Sequence, residues 1–166
     1  MTAAPPTPAP RKLDLVFERL VDLPPDAIWR AWTTPALITQ WFTPAPWETI
    51  TSEIDLRPGG RFYTVMRSPE GQTFPHEGCY LVVEPNTRLV WTNALGPDYR
   101  PADTSAGGPV ITAEITLTAE GNGTRYHALA RHATEAACQA HAAMGFEEGW
   151  GKALDQLVAL MKRQQG

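Results

Sequence analysis

The sequence predicts an α+β fold: a curved antiparallel sheet of about seven strands wrapped around one long C-terminal helix, with two short helices after the first strand. Three observations lead there. Apolar residues recur with a period of two in most segments between Leu13 and His132. Clusters of Pro, Gly and Asn separate those segments at short intervals, which points to a meander. Phe146, Trp150, Leu154, Leu157, Val158 and Met161 form one apolar stripe at helical spacing.

The elements follow in order. Leu13 to Val21 alternates, with Leu13, Leu15, Phe17 and Arg19 on one face and Val16, Glu18 and Leu20 on the other. Pro24-Pro25-Asp26 opens a short helix that buries Ile28 and Trp32, since Pro suits the first turn and Asp the positive end. Thr34-Pro35 caps and starts a second short helix ending at Trp41, and Pro44 and Pro46 stop it. Trp47–Leu56, Arg61–Arg67, Phe74–Glu84 and Arg88–Ala94 read as strands, with Phe62, Thr64 and Met66 on one face and a bulge expected at Gly78. Leu95–Pro109 is a long irregular segment suited to a lid, with Gly107-Gly108 as its hinge. Val110–Thr118 turns Ile111, Ala113, Ile115 and Leu117 inward, Gly121-Asn122-Gly123 turns the chain, and Thr124–His132 is the last strand. Thr134 caps a helix to about Ala143, with a break near Gly145 before the terminal helix.

The chain has 166 residues, the size of one domain, expected over residues 13–163 after a disordered Pro/Ala tail at residues 1–12. Its net charge is −4 and no basic tract occurs, which disfavours nucleic acid and anionic membranes as partners. No apolar run approaches a membrane span, and Met1–Pro10 lacks a secretory h-region, so the cytoplasm is the expected location. Six Trp are more than a small core requires, which leaves a homodimer open.

No catalytic constellation is recognisable. Ser52, Ser68 and Ser105 lie in no nucleophile elbow, and Cys79 follows Gly78 in a strand as an inert buried thiol. Gly59-Gly60 and Gly107-Gly108 lack the Lys-Ser/Thr sequel of a phosphate loop, and no dinucleotide fingerprint or cofactor motif is present. His132, Glu135, Cys138 and His141 recur every three residues, but the third lies well around a helix from the first. No metal is expected, and an orienting hydrogen bond is the expected role of His141. Glu147 and Glu148 diverge by ~100° on a helix, so at most one, partly buried Glu147, can face inward.

Several words in the sequence resemble one family. Ile28-Trp29-Arg30-Ala31-Trp32-Thr33 is followed by Trp41, then Asp55-Leu56-Arg57-Pro58-Gly59-Gly60-Arg61-Phe62, Gly78-Cys79-Tyr80-Leu81, Glu84-Pro85 and Arg88-Leu89-Val90-Trp91-Thr92. Gly121–Thr124, Met144-Gly145-Phe146, Gly149-Trp150 and Leu154-Asp155-Gln156-Leu157 complete the set. In this order they resemble the helix-grip proteins of the SRPBCC (START and birch-pollen-allergen) superfamily, in the branch named for the activator of the heat-shock-protein ATPase. The resemblance implies a hydrophobic cavity between sheet and C-terminal helix. Members bind lipids, sterols, polyketides or aromatic metabolites; some are cyclases and others co-chaperones. The eukaryotic co-chaperone carries a further N-terminal domain.

Within such a fold, Phe62, Met66, Trp91, Tyr126 and Trp150 would converge with Phe146 and Leu154 on a cavity lined by rings, with His76, Tyr80 and Asn93 as polar tips. Core packing is the competing role for each ring. The leading expectation is binding of a small apolar or aromatic molecule. The alternatives are a cyclase- or hydrolase-like enzyme using His76, Tyr80, Tyr126 or Glu147, and an interaction module for a chaperone ATPase.

Overall fold

The computed structural model describes residues 12–165; the expected Pro/Ala tail lies, apart from Lys12, outside them. Strand β1 (Asp14–Val21) leads into helices α1 (Pro25–Thr33) and α2 (Pro35–Trp41). Strands β2 (Glu48–Ile54), β3 (Arg61–Arg67), β4 (Thr73–Glu84) and β5 (Arg88–Thr92) follow as a meander. A small hairpin of β6 (Leu95–Gly96) and β7 (Arg100–Pro101) precedes β8 (Thr112–Glu120), β9 (Gly123–Arg131), α3 (Glu135–Ala143) and α4 (Phe146–Gln165).

Seven strands form one antiparallel sheet in the order β1-β9-β8-β5-β4-β3-β2. Strands β1 and β2 form opposite edges of the sheet, joined through the α1–α2 pair, and β1 lies against β9, pairing Leu15 with Ala130 and Phe17 with Ala128. The alternation decides which face is buried. Leu15, Phe17 and Val21 turn inward, while Val16 and Leu20 are each 56% exposed. The opposite face is laced with ion pairs, such as Arg61 with Glu53 and Glu77, which are exposed and contribute little to stability individually.

The inner face is covered by α4 and the α1–α2 pair. Leu154, Leu157 and Met161 on α4 are at most 1% exposed, so the stripe read from spacing is the buried one. Gly145, at φ +89°, makes the elbow between α3 and α4 in a conformation that a side chain would strain. Thr134 accepts from the Ala137 amide and caps α3. Thr34 does not cap α2 through its side chain; its carbonyl takes the Leu37 and Ile38 amides instead.

Two further expectations are corrected. The bulge in β4 lies between Tyr80 and Val82, and Gly78 keeps regular register opposite Phe62. A Cβ on Gly78 would stand 2.9 Å from the Thr92 carbonyl oxygen, so close approach of β5 is what requires glycine there. The Leu95–Pro109 segment is also not wholly irregular. It carries the β6–β7 hairpin and a tight turn at Pro97–Tyr99, and its Ala102 amide is tied to the Ala94 carbonyl.

Candidate ligand pocket

Trp32 is the centre of the space between sheet and helices. Pro25 sets the start of α1, and the four-residue spacing of Ile28 and Trp32 puts both on its buried face. The Trp32 ring stands 4.8 Å from Trp41, 5.5 Å from Phe42 and 5.1 Å from Trp91 (centroid to centroid). Trp150 on α4 lies 6.4 Å away. Trp41 is itself anchored by its indole N–H, which donates to the Ala31 carbonyl at 3.0 Å.

This aromatic block leaves room around it. A half-open pocket of about 400 Å³ lies beneath the first turns of α4, and its wall includes Met66, Tyr126, Phe146, Trp150 and Leu154. A smaller pocket of about 210 Å³ is bounded by Phe62, His76, Trp91, Asn93 and Ile111. Phe42 and Trp150 belong to both walls, so their rings partition the space. His76, Glu77 and Asn93 also border a more polar hollow of about 530 Å³ under the 96–110 segment.

Nine of the ten expected cavity residues thus line one of these spaces. Tyr80 does not. Its ring is fully buried, stacked on Phe62 at 5.2 Å, and its hydroxyl has no partner among the described residues. Asn93 is held by structural bonds at both ends of its amide. It donates to the Pro109 carbonyl and accepts from the Ile111 amide, each at 2.8 Å. Of the two carboxylates, Glu147 is exposed like Glu148, because both project from the solvent side of the first turn of α4.

Sequence reading missed Trp32, Trp41, Phe42 and His141 as pocket walls. The tryptophans were legible as buried helix residues, but which void they face depends on how α1 and α2 dock. His141 is positioned by a chain of contacts. His132 Nδ1 lies 2.9 Å from the Leu13 carbonyl oxygen, and His132 Nε2 lies 2.8 Å from His141 Nδ1. Of their neighbours, Cys138 is buried and Glu135 exposed, and no group of three metal-type ligands forms among the described residues.

The titratable groups are tuned toward their neutral forms. Burial pushes the Tyr80 and Tyr126 phenols well above their ordinary value, so neither acts as a base near neutral pH. Burial, and then the neighbouring His132, hold the His141 imidazole below its usual value. Partial desolvation lowers His76 in the same direction. The pocket beneath α4 is therefore an uncharged, ring-lined cleft with a few polar edges, suited to enclosing an apolar molecule.

A sheet closed over its C-terminal helix with such a cleft between them defines a helix-grip protein of the SRPBCC kind. The chain belongs to the family of Activator of Hsp90 ATPase homolog 1-like proteins, which matches residues 22–162. It is similar to a crystallised protein of Nitrosomonas europaea, with 46% identity, 92% of this chain and 96% of that one covered, and a TM-score of 0.86. A Mycobacterium smegmatis protein shares 26% identity at a TM-score of 0.73, covering 89% of this chain and 90% of its own. An AHSA1-like protein from Aeromonas hydrophila shares the fold at 23% identity and a TM-score of 0.66, covering 92% and 94%. No curated protein matches the chain. No helix among the described residues is long and apolar enough to cross a membrane.

Proposed function

We propose that the chain binds a small hydrophobic or aromatic molecule in the pocket beneath α4. The observation that carries this reading is the pocket of about 400 Å³, walled almost wholly by rings and aliphatic groups. A volume of that order suits a ligand of two or three rings. Removing its apolar surface from water, at ~25 cal/mol per Å², would supply most of the affinity. The neutral tyrosines and the exposed Glu147 offer little to an enzymatic reading. The family's name, which refers to a chaperone ATPase, supports the interaction-module alternative.

The experiment is a titration of the full chain with naphthalene derivatives, followed by tryptophan fluorescence and thermal stability. Trp150 and Trp32 border the pocket, so binding should quench or shift their emission and raise the unfolding temperature. Absence of any response across a panel of one- to four-ring compounds would refute the reading. Capture of a chaperone ATPase by the same chain, with no ligand response, would favour the alternative.

A further inference from the structure

We infer that Nε2 of His141, set in place by His132, is a hydrogen-bond acceptor on the wall of the pocket beneath α4, and that it selects an aromatic ligand carrying a hydroxyl group. The inference rests on the cavity reading above and names the ligand class.

The positions of the hydrogens follow from the partners of each ring nitrogen. The Leu13 carbonyl oxygen can only accept, so His132 Nδ1, 2.9 Å from it, carries a hydrogen. The same oxygen also takes the His132 backbone amide at 2.9 Å, which fixes the ring's position. His132 is 7% exposed and pairs with no carboxylate among the described residues. A ring that carries a single hydrogen therefore holds it on Nδ1 and leaves Nε2 bare. The 2.8 Å contact between that nitrogen and His141 Nδ1 needs one hydrogen, and only His141 can provide it. A neutral His141 with a hydrogen on Nδ1 has an unprotonated Nε2.

That last nitrogen has no partner among the described residues and is not one of their sealed, unsatisfied atoms, so it is reachable. His141 is part of the pocket wall, with its ring edge-on to Phe146 at 5.4 Å. The other ring nitrogens on that wall belong to tryptophans, which only donate. A ligand hydroxyl can therefore satisfy His141. An ether or a methyl group at the same place leaves its lone pair buried and unpaired, and a site of this kind discriminates by that penalty. His132 acts as a positioning residue, since it touches no ligand and sets only the tautomer.

The test uses the full chain and three probes of nearly equal shape: 2-naphthol, 2-methylnaphthalene and 2-methoxynaphthalene. In the wild type, affinity for 2-naphthol relative to the other two should be about tenfold higher than in His141→Phe, with affinity for 2-methylnaphthalene retained. His132→Phe, which offers His141 no acceptor, should lose most of the same preference. Nitrogen-15 spectra of the unliganded wild type should show an unprotonated Nε2 and a protonated Nδ1 at His141, a readout that needs no variant to fold. Equal probe ratios in wild type and His141→Phe, or a protonated Nε2, would overturn the inference while leaving the pocket intact. Failure of all three probes to bind would overturn the cavity reading and this inference with it.

Discussion

The rings of Phe62 and Tyr80 lie flat against each other, 5.2 Å apart with their planes within 7°. They sit diagonally across β3 and β4, because Phe62 pairs directly with Gly78, which has no side chain to intervene. Phe62 lines the smaller pocket with Tyr80 stacked against it, and the Tyr80 hydroxyl is buried without a partner among the described residues. Tyr80→Phe should therefore raise stability by about 1 kcal/mol, since it removes an unmet desolvation cost and keeps the stack. Urea unfolding measures this; a loss of stability would show that the hydroxyl has a partner after all.

Gly78→Ala should destabilise the protein by about 1–3 kcal/mol. The added Cβ would stand 2.9 Å from the Thr92 carbonyl oxygen, and backbone of a neighbouring strand cannot yield cheaply. Chemical denaturation reads the cost, and an unchanged midpoint would contradict the close approach of β4 and β5.

Gln156 holds the pocket's outer wall to α4. Its Nε2 donates to the carbonyls of Trp41 and Thr43, and its Oε1 accepts the Ala45 amide, all at 2.9 Å. These bonds fix the segment that carries Phe42 and Pro44. Gln156→Leu should cost about 2–3 kcal/mol, at roughly 1 kcal/mol per bond, and should weaken probe binding as the wall loosens. Comparable stability and affinity in variant and wild type would show that the wall is held by packing alone.

Trp150→Ala should join the two pockets that Trp150 and Phe42 separate. The expected result is a gain in affinity for four-ring over two-ring aromatics, together with a loss of about 2–4 kcal/mol of stability, because the indole is only partly buried. An unchanged size preference would mean the partition is not made by this ring.

Stability should fall with pH below about 6.5. His141 and His76 are both held below their ordinary value, so the unfolded chain takes up protons first as the pH drops. Unfolding free energy is then full above that pH and decreases until the folded imidazoles themselves protonate. Between about pH 7.5 and about pH 5, His141→Phe should show a shallower decline than the wild type. Parallel curves would exclude His141 from the effect.

Much of the fold was legible because it depends on local periodicity. The limits of β3 match the expected Arg61–Arg67, and those of α2 and α3 match the turn and cap signals around Pro35 and Thr134. The position of the β4 bulge was not legible. A bulge is chosen by how two strands twist past each other, and Gly78 serves close approach equally well. Phe42 as a partition and Tyr80 as sealed core were hidden for a related reason. An aromatic residue on an inward face reads the same whether it meets a void or another ring.

The order of the main elements, the inward face of β8, the apolar stripe of α4 and the family words were determined by sequence alone, because they are set by neighbours a few residues away, whereas the inward face of the 74–84 strand was not. Which rings border empty space, and the contact that sets the tautomer of His141, were decided only by the tertiary structure. Those relations join residues brought together by the docking of α1, α2 and α4 on the sheet, across separations that no local pattern encodes.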